Sequence, residues 1–225
     1  MSRITDYSFL FQSMFGTTKT NAIGSFQLSQ INSSSVQAQL KAAGINTNSK
    51  QYKAAMKEMM KAGNGMMYTN IQAIKNSMSC YDKDGDYIDP TTGLAGLLVT
   101  EENESTRKRI ISIPESSKEE MFEQTKKEFL RENGICNGDT TKRSDVYTNM
   151  YRKVQKNDRL AAGYTMQQYE RAYRNAFLSA VREADPDWEL GQPIKSGVLD
   201  NITREDVENN MKKSNSSFKS VDITV

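Results

Sequence analysis

Two stretches of this 225-residue chain stop in the same way. Leu40-Lys-Ala-Ala-Gly44-Ile45 and Leu130-Arg-Glu-Asn-Gly134-Ile135 each place a glycine four residues after a leucine, with an isoleucine directly beyond it. In a Schellman ending the residue past the helix is left-handed, a conformation glycine adopts without a Cβ penalty, and the next apolar residue folds back onto the last turn. Both segments therefore read as helix ends, with Ile45 expected against Leu40 and Ile135 against Leu130. Such a chain folds as a set of separately capped helices.

The apolar spacing supports the same reading. Val36 and Leu40 share a face of a helix over 35–43. Asn48 or Ser49 then caps a helix carrying Tyr52, Met56, Met59 and Met60, closed by Gly63; Met67, Ile71, Ile74 and Met78 align on a third. Helical spacing of Met56, Met59, Met60, Met66 and Met67 favours core packing over an exposed, adaptable binding stripe. Ser117 and Glu120 match a capping box for a helix to about Glu132, and Ser144 opens another. Thr165 and Gln168 begin a long helix that stops at Asp185-Pro186, and Thr203 caps a short last one stapled by Ile202 and Val207.

Between residues 81 and 114 the pattern changes. Leu94–Thr100 and Arg109–Ile113 read as short β segments, with Tyr87 and Ile88 available as a third. The expected fold is mainly α: a multi-helix domain with a small antiparallel β-hairpin near residues 86–113. A Ser/Thr/Asn/Gln-rich segment marks residues 1–33 as a flexible tail, leaving one helical domain over 34–213 and a frayed tail over 214–225.

Composition removes several function classes. Histidine is absent, which excludes Ser-His-Asp and Cys-His catalysis and the commonest transition-metal ligand. Cys80 and Cys136 lie 56 residues apart, too few and too far apart for a zinc site or a disulfide framework. Phosphate-loop and dinucleotide fingerprints are missing, so no cofactor and no enzymatic activity are expected. Neither a Sec-type signal nor a run of about eighteen apolar residues is found, and the default expectation is a cytoplasmic protein. Residues 1–80 carry a net charge of +6 and residues 81–225 one of −4. The basic half offers only scattered lysines, and Arg107-Lys108-Arg109 sits beside Glu101, Glu102 and Glu104 as a surface ion-pair patch, so nucleic acid is not an expected partner.

Two candidate sites stand out. Asp82, Asp84 and Asp86 alternate as in the opening of a calcium loop, which draws oxygens from its positions 1, 3 and 5. Tyr87 then occupies the place of the sharp-turn glycine and Gly93 that of the closing bidentate glutamate, so an Asp/Gly turn entering the hairpin is the simpler reading. At the N-terminus Phe9, Leu10, Phe11, Met14 and Phe15 crowd together ahead of the polar linker, as a docking peptide would. Tyr147, Tyr151, Tyr164, Tyr169 and Tyr173 add phenols of the kind that interfaces favour.

Residues 3–16, with the run Asp6-Tyr7-Ser8-Phe9-Leu10-Phe11, and Leu40–Met60 resemble uncharacterised proteins of Gram-positive bacteria that share an Asp-Tyr-Ser-x-Leu-Phe opening and a Leu-Lys-x-x-Gly-Ile helix end. The resemblance implies a bacterial protein and brings no activity and no functional residues with it. The function expected is non-enzymatic: an interaction or structural protein of a bacterial assembly, binding another protein or itself. The alternative is a divalent-cation module centred on Asp82–Asp89.

Overall fold

The computed structural model of the chain describes residues 32–61, 69–136, 138, 140–214 and 218. Those residues form seven α-helices, one 3-10 turn and a two-stranded antiparallel sheet. The fold is mainly α, as expected. The backbone groups into two compact units, divided between Ala95 and Gly96, inside the span expected as one domain.

The first unit holds α1 (Ser34–Ala42), α2 (Lys50–Lys61), α3 (Ile71–Ser79), β1 (Ile88–Asp89) and β2 (Leu94–Ala95). Each helix starts on a side chain that accepts an orphan amide: Ser33 from Val36, Ser49 from Tyr52 and Asn70 from Ala73. Leu40, Ile45, Tyr52, Met56 and Ile74 make its buried core, with Met59, Met60 and Met78 packed against them. The described part of the methionine stripe is therefore core material; Gly63, Met66 and Met67 lie outside the described residues. Gln51 donates to the carbonyls of Met78 (3.0 Å) and Tyr81 (2.7 Å), tying α2 to the chain leaving α3.

The second unit holds α4 (Glu115–Arg131), α5 (Thr141–Lys153), a 3-10 turn (Lys156–Asp158), α6 (Arg159–Ala184) and α7 (Arg204–Ser214). At 26 residues α6 is the long central rod, with Thr165, Met166, Tyr169, Tyr173, Phe177 and Val181 buried along one stripe. Phe122 of α4 meets Tyr173 and Phe177 edge-on, with ring centroids 5.2 and 5.4 Å away. Phe218, in the segment expected to fray, is buried against Tyr169 at 5.4 Å.

Several local expectations are corrected. Helix α4 begins at Glu115 after Pro114, and Ser117 is fully buried on the core-facing stripe, so no capping box forms there. Thr165 does not start α6: it lies inside, donating to the Ala161 carbonyl (2.8 Å) and accepting from the Ile111 amide (3.1 Å). A threonine hydroxyl can satisfy backbone groups mid-helix as well as at a cap, which is why the pattern misleads. Helix α5 begins at Thr141, with Ser144 bonded back to the Thr140 carbonyl. The hairpin pairs Ile88 with Ala95 and Asp89 with Leu94, so Arg109–Ile113 is not one of its strands. By contrast Thr203 does cap α7, accepting from the Asp206 amide at 3.2 Å.

The two glycine endings differ by one residue. At α1, Gly44 (φ +74°) donates to Lys41 and Ile45 to Leu40, and both Ile45 and Leu40 are buried, as expected. At α4, Asn133 (φ +49°) takes the place past the helix, donating to Leu130, while Gly134 (φ +79°) donates to Phe129. Ile135 and Leu130 both stay exposed, so neither is buried by a staple of the kind Ile45 and Leu40 make. A Cβ on Gly44 would meet nothing within 4 Å, whereas one on Gly134 would lie 2.8 Å from Trp188 and 3.1 Å from Leu190. Gly44→Ala should therefore cost about 1 kcal/mol from the positive φ alone. Gly134→Ala should cost clearly more in the same urea titration, because overpacking adds about 1–3 kcal/mol. Equal losses would mean that the Trp188 contact yields freely.

Candidate functional site

Three places carry chemistry among the described residues, and two of them lie inside the second unit. The first is built on Glu208 of α7. Its side chain is almost entirely buried, and burying a carboxylate demands charge-assisted partners. Lys118 of α4 supplies one at 3.1 Å, the Tyr173 hydroxyl of α6 a second at 2.7 Å, and Arg204 a third at 2.8 Å. Lys118 also pairs with Glu115 at 2.5 Å and lies 5.2 Å from the centroid of the Tyr169 ring. Arg204 reaches out to Glu115 and Glu119, both at 2.8 Å. Burial and the neighbouring Glu208 carboxylate push the Tyr173 phenol far above its usual range, so it stays a hydroxyl and a donor.

The second centre joins α4, α5 and α6. Arg143 pairs with both Glu128 and Glu170, Tyr147 donates to Glu170 at 2.8 Å, and Gln124 donates to Glu128 at 2.9 Å. Burial, followed by the Glu170 charge, raises the Tyr147 phenol well above its ordinary value. Half-buried Cys136 sits at the edge in a left-handed conformation (φ +50°), and burial raises its thiol. A raised thiol is a poor nucleophile. In both centres every named charge faces an opposite one on another helix, an arrangement that fixes helix register.

Neither centre was anticipated from the sequence. Lys118, Met121, Phe122, Thr125, Glu128 and Phe129 are all buried on the core face of α4. The usable signal was there: two charged residues standing in an apolar stripe at helical spacing.

The third place is the Asp82 turn of the first unit. Asp82 accepts the amides of Asp84 and Asp86 on one oxygen, both at 2.9 Å, while its own amide donates to the Asp86 carbonyl and its carbonyl accepts from the Gly85 amide (φ +87°). Asp89 likewise accepts the Thr91 amide at 3.0 Å and the Thr92 hydroxyl at 2.8 Å. These are Asx turns, in which a short carboxylate replaces a backbone acceptor. No group of three or more Cys, Asp or Glu is placed to hold a metal among the described residues. Phe9, Leu10, Phe11, Met14 and Phe15 lie outside the described residues. No described helix is long and apolar enough to cross a membrane.

A family model described as a domain of unknown function, DUF3879, matches residues 45–225. No curated protein and no solved structure matches the chain.

Two outcomes follow from the geometry. Glu208→Ala removes the buried partner of Lys118, Tyr173 and Arg204, leaving the Tyr173 hydroxyl unpaired and the two cations with only Glu115 and Glu119, and should cost about 3 kcal/mol in chemical denaturation, whereas exposed Glu205→Ala should stay within about 0.5 kcal/mol. Calcium at millimolar concentration should move the melting midpoint by no more than about 2 °C, since the stabilisation follows RT ln(1 + [L]/Kd) and the loop lacks a closing carboxylate. A large shift that disappears in Asp82→Asn would establish a calcium site.

Proposed function

We propose that this chain, which belongs to the DUF3879 family, is a non-enzymatic interaction or structural protein of a bacterial assembly, cytoplasmic and of Gram-positive origin. The observation that carries the reading is a rigid corner of the second unit that leaves large aliphatic side chains in water. The Gly191 amide donates to the Asn133 carbonyl at 2.9 Å, and Trp188 and Leu190 pack where a Gly134 side chain would stand. Around that corner Ile135 and Leu190 remain 44 and 54% exposed, and Leu130, on the last turn of α4, is 42% exposed. Isolated exposed aliphatics are ordinary, but a cluster on a preorganised corner is the kind of surface that protein partners use. Ion pairing of the buried charges across helices supports the same reading, because their chemistry goes into holding the scaffold. Phe9, Leu10, Phe11, Met14 and Phe15 supply a second docking element by sequence, and the Asp6-to-Phe11 resemblance supports the bacterial origin.

The cation-binding alternative at Asp82–Asp89 has weaker support, since Asp82 and Asp89 oxygens already accept local amides. Replacing Leu190 by a photo-crosslinking amino acid in the cell of origin should trap a discrete adduct. Ile135→Asp should remove that adduct while shifting the melting midpoint by no more than about 2 °C. The reading fails if only uncrosslinked monomer is recovered and removal of residues 1–30 leaves the protein's association unchanged.

A further inference from the structure

Helices α4 and α5 leave between them an open groove of about 740 Å³, lined among others by Glu120, Glu123, Lys126, Lys127 and Leu130. The outer face of α4 advances in steps of three and four residues through Glu120, Glu123, Lys127 and Leu130, all exposed. Its charge is ordered: acids on the N-terminal side, bases on the C-terminal side. Glu120 lies 3.8 Å from Lys153, but none of the ion pairs or side-chain hydrogen bonds of the described residues includes Glu123, Lys126 or Lys127.

An ordered acid-to-base face is complementary to itself when reversed. We propose that the α4–α5 groove seats a second copy of this chain, the two α4 helices antiparallel, with Glu123 of each copy opposite Lys127 of the other. The two-fold axis then passes at the level of residue 125, and the same register sets Lys126 of one copy against Gln124 of its partner. A two-fold contact is isologous, so each favourable pair occurs twice. Antiparallel helices also bring opposite dipole ends together, so the register conflicts with neither macrodipole. In a parallel arrangement Glu123 would face Glu123 and Lys127 would face Lys127. Charge order therefore makes the face complementary to a second copy of itself in the antiparallel direction only. The inference rests on the interaction reading above and specifies one partner for it.

Exposed ion pairs contribute little individually and are screened by salt, so this contact should be weak and ionic-strength dependent. Sedimentation of the full chain should show dimer at an ionic strength of about 0.01 M, where the Debye length is about 30 Å, and monomer at about 1 M, where it is about 3 Å. Glu123→Lys and Lys127→Glu should each shift the low-salt protein to monomer with unchanged circular dichroism, and the double variant should recover the dimer. A wild-type chain that is monomeric at low salt overturns the proposal; crosslinking at Leu190 still decides the broader reading in that case. A dimer that survives both single variants, or that persists in high salt, also overturns it while leaving an interaction role intact at another surface.

Discussion

The second unit depends on one buried carboxylate. Glu208 reaches the interior only because α4, α6 and α7 each deliver a donor to it: Lys118, Tyr173 and Arg204. Withdrawing any one leaves the others with an imperfectly compensated charge or hydroxyl in a low-dielectric setting, at a cost well above the worth of a surface ion pair. Apolar attraction is non-directional and by itself specifies register only through shape. Directional bonds from three helices specify it directly. The aromatic contacts of Phe122 with Tyr173 and Phe177 then fall into a register that the polar centre already defines. Glu128, Arg143 and Glu170 do the same for α5, so each helix packed on α6 is pinned by charge as well as by area.

Local signals were legible in proportion to how local their physics is. The first Schellman ending involves six consecutive residues and nothing beyond them, and it forms as Leu40, Gly44 and Ile45 suggest. The caps at Ser49 and Thr203 are equally self-contained. Ser117 and Thr165 misled because a hydroxyl's choice between capping and burial is made by the tertiary surroundings. Ile111, whose amide meets Thr165, is 54 positions away in sequence. A hairpin was legible but its strand pair was not: Leu94 pairs back to Asp89 and not forward to Arg109–Ile113, because the tight Asp89-to-Leu94 turn is set by the Asp89 carboxylate and Gly93 rather than by apolar alternation. The buried centres stayed hidden for a related reason: Lys118 and Glu128 look like solvated charges until their opposite numbers arrive from α5, α6 and α7.

The displaced ending of α4 shows how a small conformational choice reaches the surface. Asn tolerates the left-handed region better than most residues, and Asn133 uses that tolerance to terminate α4 one residue early. Gly134 is then free to accept Trp188 and Leu190 against its bare Cα, and Ile135 lies beside Gly191. Had the helix run one residue further, the expected staple would have joined Ile135 to Leu130. Instead the adjacent loop is locked on by the Asn133–Gly191 bond and the aliphatic groups are left outside.

That trade bears on what kind of surface the corner is. A cluster of exposed aliphatics on a mobile loop could collapse onto itself and lose most of its exposed area. Here Gly134 and Gly191 both sit in the left-handed region, and Trp188 is fixed below by its indole bond to the Gln192 carbonyl at 2.9 Å. The Asn133–Gly191 bond and the buried indole tie down the backbone that carries Leu190, so less backbone ordering is left to be done on binding. The α4 face beside it has the opposite character, long charged side chains whose ordering is unfavourable and whose attraction is screened. A partner meeting both surfaces would draw specificity and direction from the charges, and persistence from the corner.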